Sequence, residues 1–212
     1  MNNNIYLEKA QHYIEEIEEC IKRAKNIARG VIGDNLLDID LCFCGLLDRS
    51  IRLADGFIPM VKNRNLTCAG ALLRLQLDNC LRLYALYIAD DEGAVVTALL
   101  NGDKIDKLKD KKGNQMRDTY LKNELGNIDS QLPIVYENTS GFIHFSAKAI
   151  YQSIYDCNDH TIKFQVGGEL NEKRNETLIE CAAAYLHFYR LFLEIMKSEA
   201  DWKKDFDKGM EE

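Results

Sequence analysis

Residues 65–89, NLTCAGALLRLQLDNCLRLYALYIA, are the most apolar stretch of the chain. The run contains no proline and a single glycine, Gly70, and it is too long for a strand. Its apolar residues lie on nearly all sides, which predicts a helix buried in the middle of a bundle. Moving toward the N-terminus, a helix is expected from about Asp38 through CFCGLLDRSIRLADGF, bending or ending close to Pro59, because a proline pushes the residue before it out of helical geometry. Ahead of that, Ala10, Ile14, Ile17, Ile21, Ala24, Ala28 and Val31 alternate in steps of three and four, with Glu15, Glu19, Lys22 and Arg23 opposite. This is a long amphipathic first helix that should stop near Gly30 and Gly33.

On the C-terminal side a short apolar piece, residues 95–100, precedes GDKIDKLKDKKGNQ, whose lysines suggest an exposed loop. Residues 115–125 suit a short helix. Residues 131–154 read as helical again, broken or re-capped at Ser140 and Gly141. Only HTIKFQVGG, residues 160–168, alternates like a strand, and it could pair with the residues before it or with a second copy of the chain. Leu178, Cys181, Tyr185, Phe188, Phe192 and Ile195 then mark a long last helix. The expected fold is an all-α multi-helix bundle with long first and last helices and one short strand or hairpin near 160–168. Residues 1–200 form a single domain in this reading, and the charged stretch 201–212 frays.

The chain has 212 residues, 46% of them hydrophobic and 29% charged, which suits one well-filled core. A net charge of −7 disfavours a broad nucleic-acid surface. Seven cysteines, with no C-x-x-C pair, read as buried thiols in a reducing compartment. The polar, acidic N-terminus is unlike a signal peptide, and no run reaches the roughly 18 apolar residues a membrane span needs. A cytoplasmic protein without membrane contact is expected.

Two polar rows carry the candidate chemistry. Arg74, Asp78 and Arg82 are spaced four apart on the buried helix, so they share one face. They form either an internal ladder that ties helices together or a clamp for a phosphate or carboxylate. Tyr136, Ser140, His144 and Lys148 form a second row if the helix continues through Gly141. There the hydroxyls could orient an imidazole for acid–base work. His12, His160 and His187 make no metal pattern, and no phosphate loop or nucleophile elbow occurs, so no metal or cofactor is expected. Lysines 104–112 are interspersed with Asp103, Asp106 and Asp110, which favours a solvated loop over a nucleic-acid patch.

R-L-Q-L-D at 74–78, Y-E-N-T-S-G-F-I-H at 136–144 and a short extended stretch before a last helix together resemble bacterial all-helical proteins related to the HEPN superfamily. The resemblance spans roughly residues 65–195. It implies a dimeric, metal-independent ribonuclease of toxin or phage-defence type acting on RNA or a nucleotide. His144 would move a proton at the ribose 2′-hydroxyl, Arg74 or Arg82 would stabilise the phosphorane, and Asp78, Tyr136, Ser140 and Lys148 would position the ligand. The chain departs from the family pattern, because no arginine is followed by a histidine at four to six residues and His187 instead precedes Arg190. Two further readings stand beside it: a non-catalytic module for a small anion, and a homodimeric interaction protein with a structural ladder. An enzyme or binder requires the two rows to converge on a cavity, whereas an interaction protein leaves them mutually satisfied.

Overall fold

The computed structural model describes residues 3–158, 160–168 and 170–210, with the side chains of 3–5, 7 and 148 outside that description. The fold is an all-α bundle with a small antiparallel hairpin. Its helices are α1 (Asn3–Ile32), α2 (Asp38–Lys62), α3 (Leu66–Ile88), α4 (Glu92–Leu100), α5 (Asp118–Gly126), α6 (Gln131–Ile143), α7 (Ala147–Ser153) and α8 (Glu172–Met210). Strands β1 (Ile154–Asn158) and β2 (Thr161–Phe164) lie between α7 and α8.

The periodic stripe on α1 is buried from Ala10 to Val31 except at Ala28, which is partly buried beside the buried Ile27, and it packs against α8 and α2. α1 and α8 run in the same direction: Glu16 pairs with Arg190, Arg23 with Glu194 at 2.6 Å, and Gly30 abuts Ala200. A Cβ at Gly30 would lie 2.9 Å from that of Ala200, so the close approach requires the glycine. Gly33, at φ +57°, then turns the chain out of the helix. α3 begins where Asn65 accepts the Cys68 N–H at 3.1 Å, and its apolar residues reach α2, α6 and α8. The aromatic centre of the core is Phe57 stacked on Tyr185, with ring centroids 4.0 Å apart, beside Phe188, Tyr189 and Phe192.

α2 ends close to Pro59, three residues past it at Lys62. The proline sits in the last turns, where buried Phe57, Ile58 and Val61 anchor the helix, and the Pro59 carbonyl still accepts the Asn63 N–H at 2.9 Å. Three expectations need correction. α6 passes through Ser140 and Gly141 and ends at Ile143, with His144 in extended geometry (φ −111°, ψ 145°). The lysine-rich segment is not simply a solvated loop, since it buries Ile105 and Met116 and folds around Asp110. The Tyr120 hydroxyl donates to Asp110 at 2.5 Å and the Asn114 N–H at 2.7 Å. Burial pushes the Asp110 carboxyl up, but these hydrogen bonds outweigh it and hold the group below its usual value.

The charged tail is the third. α8 continues to Met210, and Lys203 is fully buried with its ammonium 2.5 Å from Asp40 Oδ2. Asp207 accepts the Asp34 N–H at 2.8 Å and the Asn35 amide at 3.0 Å. As far as Met210 the tail is helical rather than frayed, because its charges are partners for the α1–α2 connection.

The hairpin pairs within the chain, Cys157 with Ile162 and Asn158 with Thr161, with an irregularity between Ile154 and Asp156. Among the described residues, no helix is long and apolar enough to cross a membrane.

Candidate functional site

The first polar row lies half-buried along a seam where α3 meets α2, α5 and α6. Arg82 donates to Asp78 at 3.1 Å and also to Asp118 at the start of α5. Burial disfavours the Arg82 charge, but Asp78 and Asp118 outweigh that and raise its pKa. The second arginine on Asp78 comes from α2 rather than from the row: Arg49 Nη1 lies 3.4 Å from Asp78 Oδ2 and also donates to the buried Asn79 amide oxygen. Arg74 instead stacks on Tyr136 of α6, its guanidinium carbon 3.3 Å from the ring centroid. Lys122 of α5 stands 5.8 Å from the same ring and pairs with Glu137.

The two rows therefore meet at one point, Arg74 on Tyr136. Farther along α6, the Phe142 ring packs onto Gly70, so α6 runs antiparallel to α3. His144 lies just beyond that contact, exposed at the C-terminus of α6. Arg82 is twelve residues past Gly70, about 18 Å along the helix. Within one chain, His144 and Arg82 are consequently kept apart. Ser140 is half-buried on α6, and its carbonyl accepts the His144 N–H at 3.3 Å. The Lys148 side chain lies outside the described residues.

Beside Arg82 a cleft of about 530 Å³ is lined by Lys104 and Arg117, by Asp103, Asp106 and Asp118, and by Leu99 and Ile105. Three cations face three carboxylates, so the cleft has little net attraction for an anion. Among the described residues, no group of three or more His, Cys, Asp or Glu side chains could hold a metal ion.

Removing the two arginines of the row should separate their roles. Arg82→Ala leaves two half-buried carboxylates short of a partner and is expected to cost about 2 kcal/mol. Arg74→Ala loses only a stacked cation and should cost about 1 kcal/mol. Urea titrations of both variants measure the difference, and a larger loss for Arg74→Ala would contradict this division of roles.

Sequence reasoning missed Arg49 and Asp118. Both stand on other helices, far from Asp78 in the chain, and no local spacing links them to it.

The second candidate region is the arm formed by residues 143–166, comprising α7, the hairpin and their flanks. Phe145 is 86% exposed, Val166 90% and Tyr151 70%, and Ile143, Ile150, Tyr155, Ile162 and Phe164 are also exposed. The arm is fastened at its base: Arg174 of α8 donates to the Ile154 carbonyl at 3.0 Å, and Thr67 to Gln152 at 3.3 Å. Patterning did not identify this surface, because it assigns residues 131–154 to helix and 160–168 to a strand without deciding which side chains stay uncovered.

Compared with known proteins, the chain matches no protein-family model, no curated protein and no solved structure.

Proposed function

We propose that the protein is a helical interaction protein that pairs with a second copy of itself through the arm, while the Arg–Asp seam serves to join its helices. The observation that carries this reading is the concentration of eight exposed large apolar side chains within residues 143–166. Taking about 200 Å² for each large side chain when fully exposed, they offer on the order of 1,000 Å². A lone protein rarely leaves an apolar patch above roughly 600 Å², and a standard interface takes about 800 Å² from each partner.

Charge favours a second copy as the partner. In a chain of net charge −7, the stretch 143–166 contains two lysines, Lys148 and Lys163, against two aspartates, Asp156 and Asp159. Such a surface can face itself across a two-fold axis without like-charge repulsion.

The ribonuclease reading draws less support, since His144 and Arg82 stand at opposite ends of α3 and the arginines are engaged by Asp78, Asp118 and Tyr136. The small-anion reading is weakened by the same engagement.

Sedimentation equilibrium tests the proposal. The native chain is expected to be a dimer, and Phe145→Asp combined with Val166→Asp should weaken it by about 2 kcal/mol or more, roughly 30-fold in Kd. Helical circular dichroism should stay unchanged. A native chain that remains monomeric at every concentration would overturn the proposal.

A further inference from the structure

A cleft of about 360 Å³ opens where the start of α2, the end of α3, the start of α4 and the later turns of α8 converge. Its walls are aromatic. The Phe43 and Tyr87 rings lie 6.0 Å apart and tilted by 46°, and Trp202 is stacked on Phe206 at 5.3 Å, which holds the indole in place while 49% of the residue remains exposed. Ile39 and Leu86 add aliphatic surface.

The polar groups are few and of one dominant sign. Glu199 of α8 and Glu92 of α4 both line the cleft. Among the described residues neither carboxylate is ion-paired. Glu199 is half-buried, and burial raises its pKa against the opposing effects of the Tyr87 hydroxyl and the Lys203 ammonium. Lys203 is already paired with Asp40, so the Glu199 carboxylate is under-stabilised, and a cation arriving beside it would relieve that. Lys111 is the one cation in the lining, and its ammonium is directed to the Tyr87 carbonyl at 3.4 Å.

We infer that this cleft binds a small organic cation with an aromatic body, of the arylalkylammonium class, with the ammonium between Glu92 and Glu199 and the ring against Phe43, Tyr87 and Trp202. Aromatic faces attract a cation and also accept the apolar body. A cavity of this size suits a ligand of about ten heavy atoms and falls in the lower part of the roughly 300–1,000 Å³ range of small-molecule sites. An anion would meet two carboxylates, and a neutral ligand would bring Glu199 no further counter-charge.

Trp202 is the only tryptophan in the chain, so intrinsic fluorescence reports directly on the cleft. Full-length protein is titrated with 2-phenylethylammonium chloride, with 2-phenylethanol and 3-phenylpropionate as neutral and anionic comparisons. The expected result is a saturable change with the ammonium only, weakened about tenfold in Glu199→Gln, as loss of one charged hydrogen bond predicts. Glu92→Gln provides a second variant at a first-turn position of α4, where a folding defect from Glu199→Gln does not enter. No saturable change with the ammonium, an equal response to 2-phenylethanol, or unchanged affinity in both glutamine variants would overturn the inference.

Discussion

Replacing Asp40 with alanine is expected to destabilise the fold by about 3–5 kcal/mol, because it strands a buried charge. Lys203 and Asp40 each have a side chain only 1% exposed, and they are 2.5 Å apart. Asp40 Oδ2 also accepts the Leu37 N–H at 2.8 Å, so the same substitution removes the bond that opens α2. At about 2–4 °C per kcal/mol for a chain of this size, the melting temperature should fall by roughly 10 °C. Among the described residues Oδ1 of Asp40 is shielded from solvent without a hydrogen-bond partner, which leaves part of the desolvation cost uncompensated. Replacing the pair together, Asp40→Leu with Lys203→Met, should therefore recover most of the loss. Denaturant titration of the single and double variants tests this. A loss below about 1 kcal/mol for Asp40→Ala would mean that the end of α8 does not dock, since a frayed tail makes no contribution.

The second large effect lies at the centre of the core. Phe57→Ala should cost about 3–5 kcal/mol. Phe57 is fully buried, and its ring is nearly parallel to that of Tyr185, at 18° and 4.0 Å. Truncation leaves a cavity that rigid neighbours on α8, Phe188 and Tyr189 among them, fill poorly. Near-UV circular dichroism should lose intensity as the Tyr185 ring loses its partner, while far-UV helicity persists below the new midpoint. A Phe57→Ala protein as stable as the native chain would show that α2 and α8 can slide together, which the stacked geometry argues against. Because Phe57 is remote from residues 143–166 in the chain, the folded fraction of this variant should still self-associate, which distinguishes a core defect from an arm defect.

The helical elements were readable because helix formation depends on neighbours three and four residues away. The stripes on α1 and α8, the apolar run of α3 and the stop at Gly33 are all local signals, and each appears where the pattern places it. The break after α6 was misplaced by three residues. Ser140 and Gly141 are weak breakers, and the helix continues through them to Ile143, with the His144 N–H still bonded to the Ser140 carbonyl at 3.3 Å. That shift takes His144 off the face shared by Tyr136 and Ser140.

The arginine row shows where local reasoning ends. Spacing put Arg74 and Arg82 equally within reach of Asp78, and Arg82 does pair with it. Arg74 does not, because Tyr136 offers its ring from α6 while Arg49 reaches Asp78 from α2. Ile105 and Met116 were obscured in the same way by the lysines around them.

What the sequence by itself determined is the set of elements: an all-α chain, long first and last helices, a central apolar helix and one short extended segment. Helix periodicity and glycine stops are properties of a few adjacent residues, and they persist whatever the rest of the chain does. The tertiary structure alone decided which charges meet, that the end of α8 up to Met210 docks through Lys203 and Asp207, that the extended segment pairs with β1, and that the arm leaves its apolar residues uncovered. Those outcomes depend on groups brought together from distant parts of the chain, where burial makes an unpaired charge costly and leaves one partner as the answer.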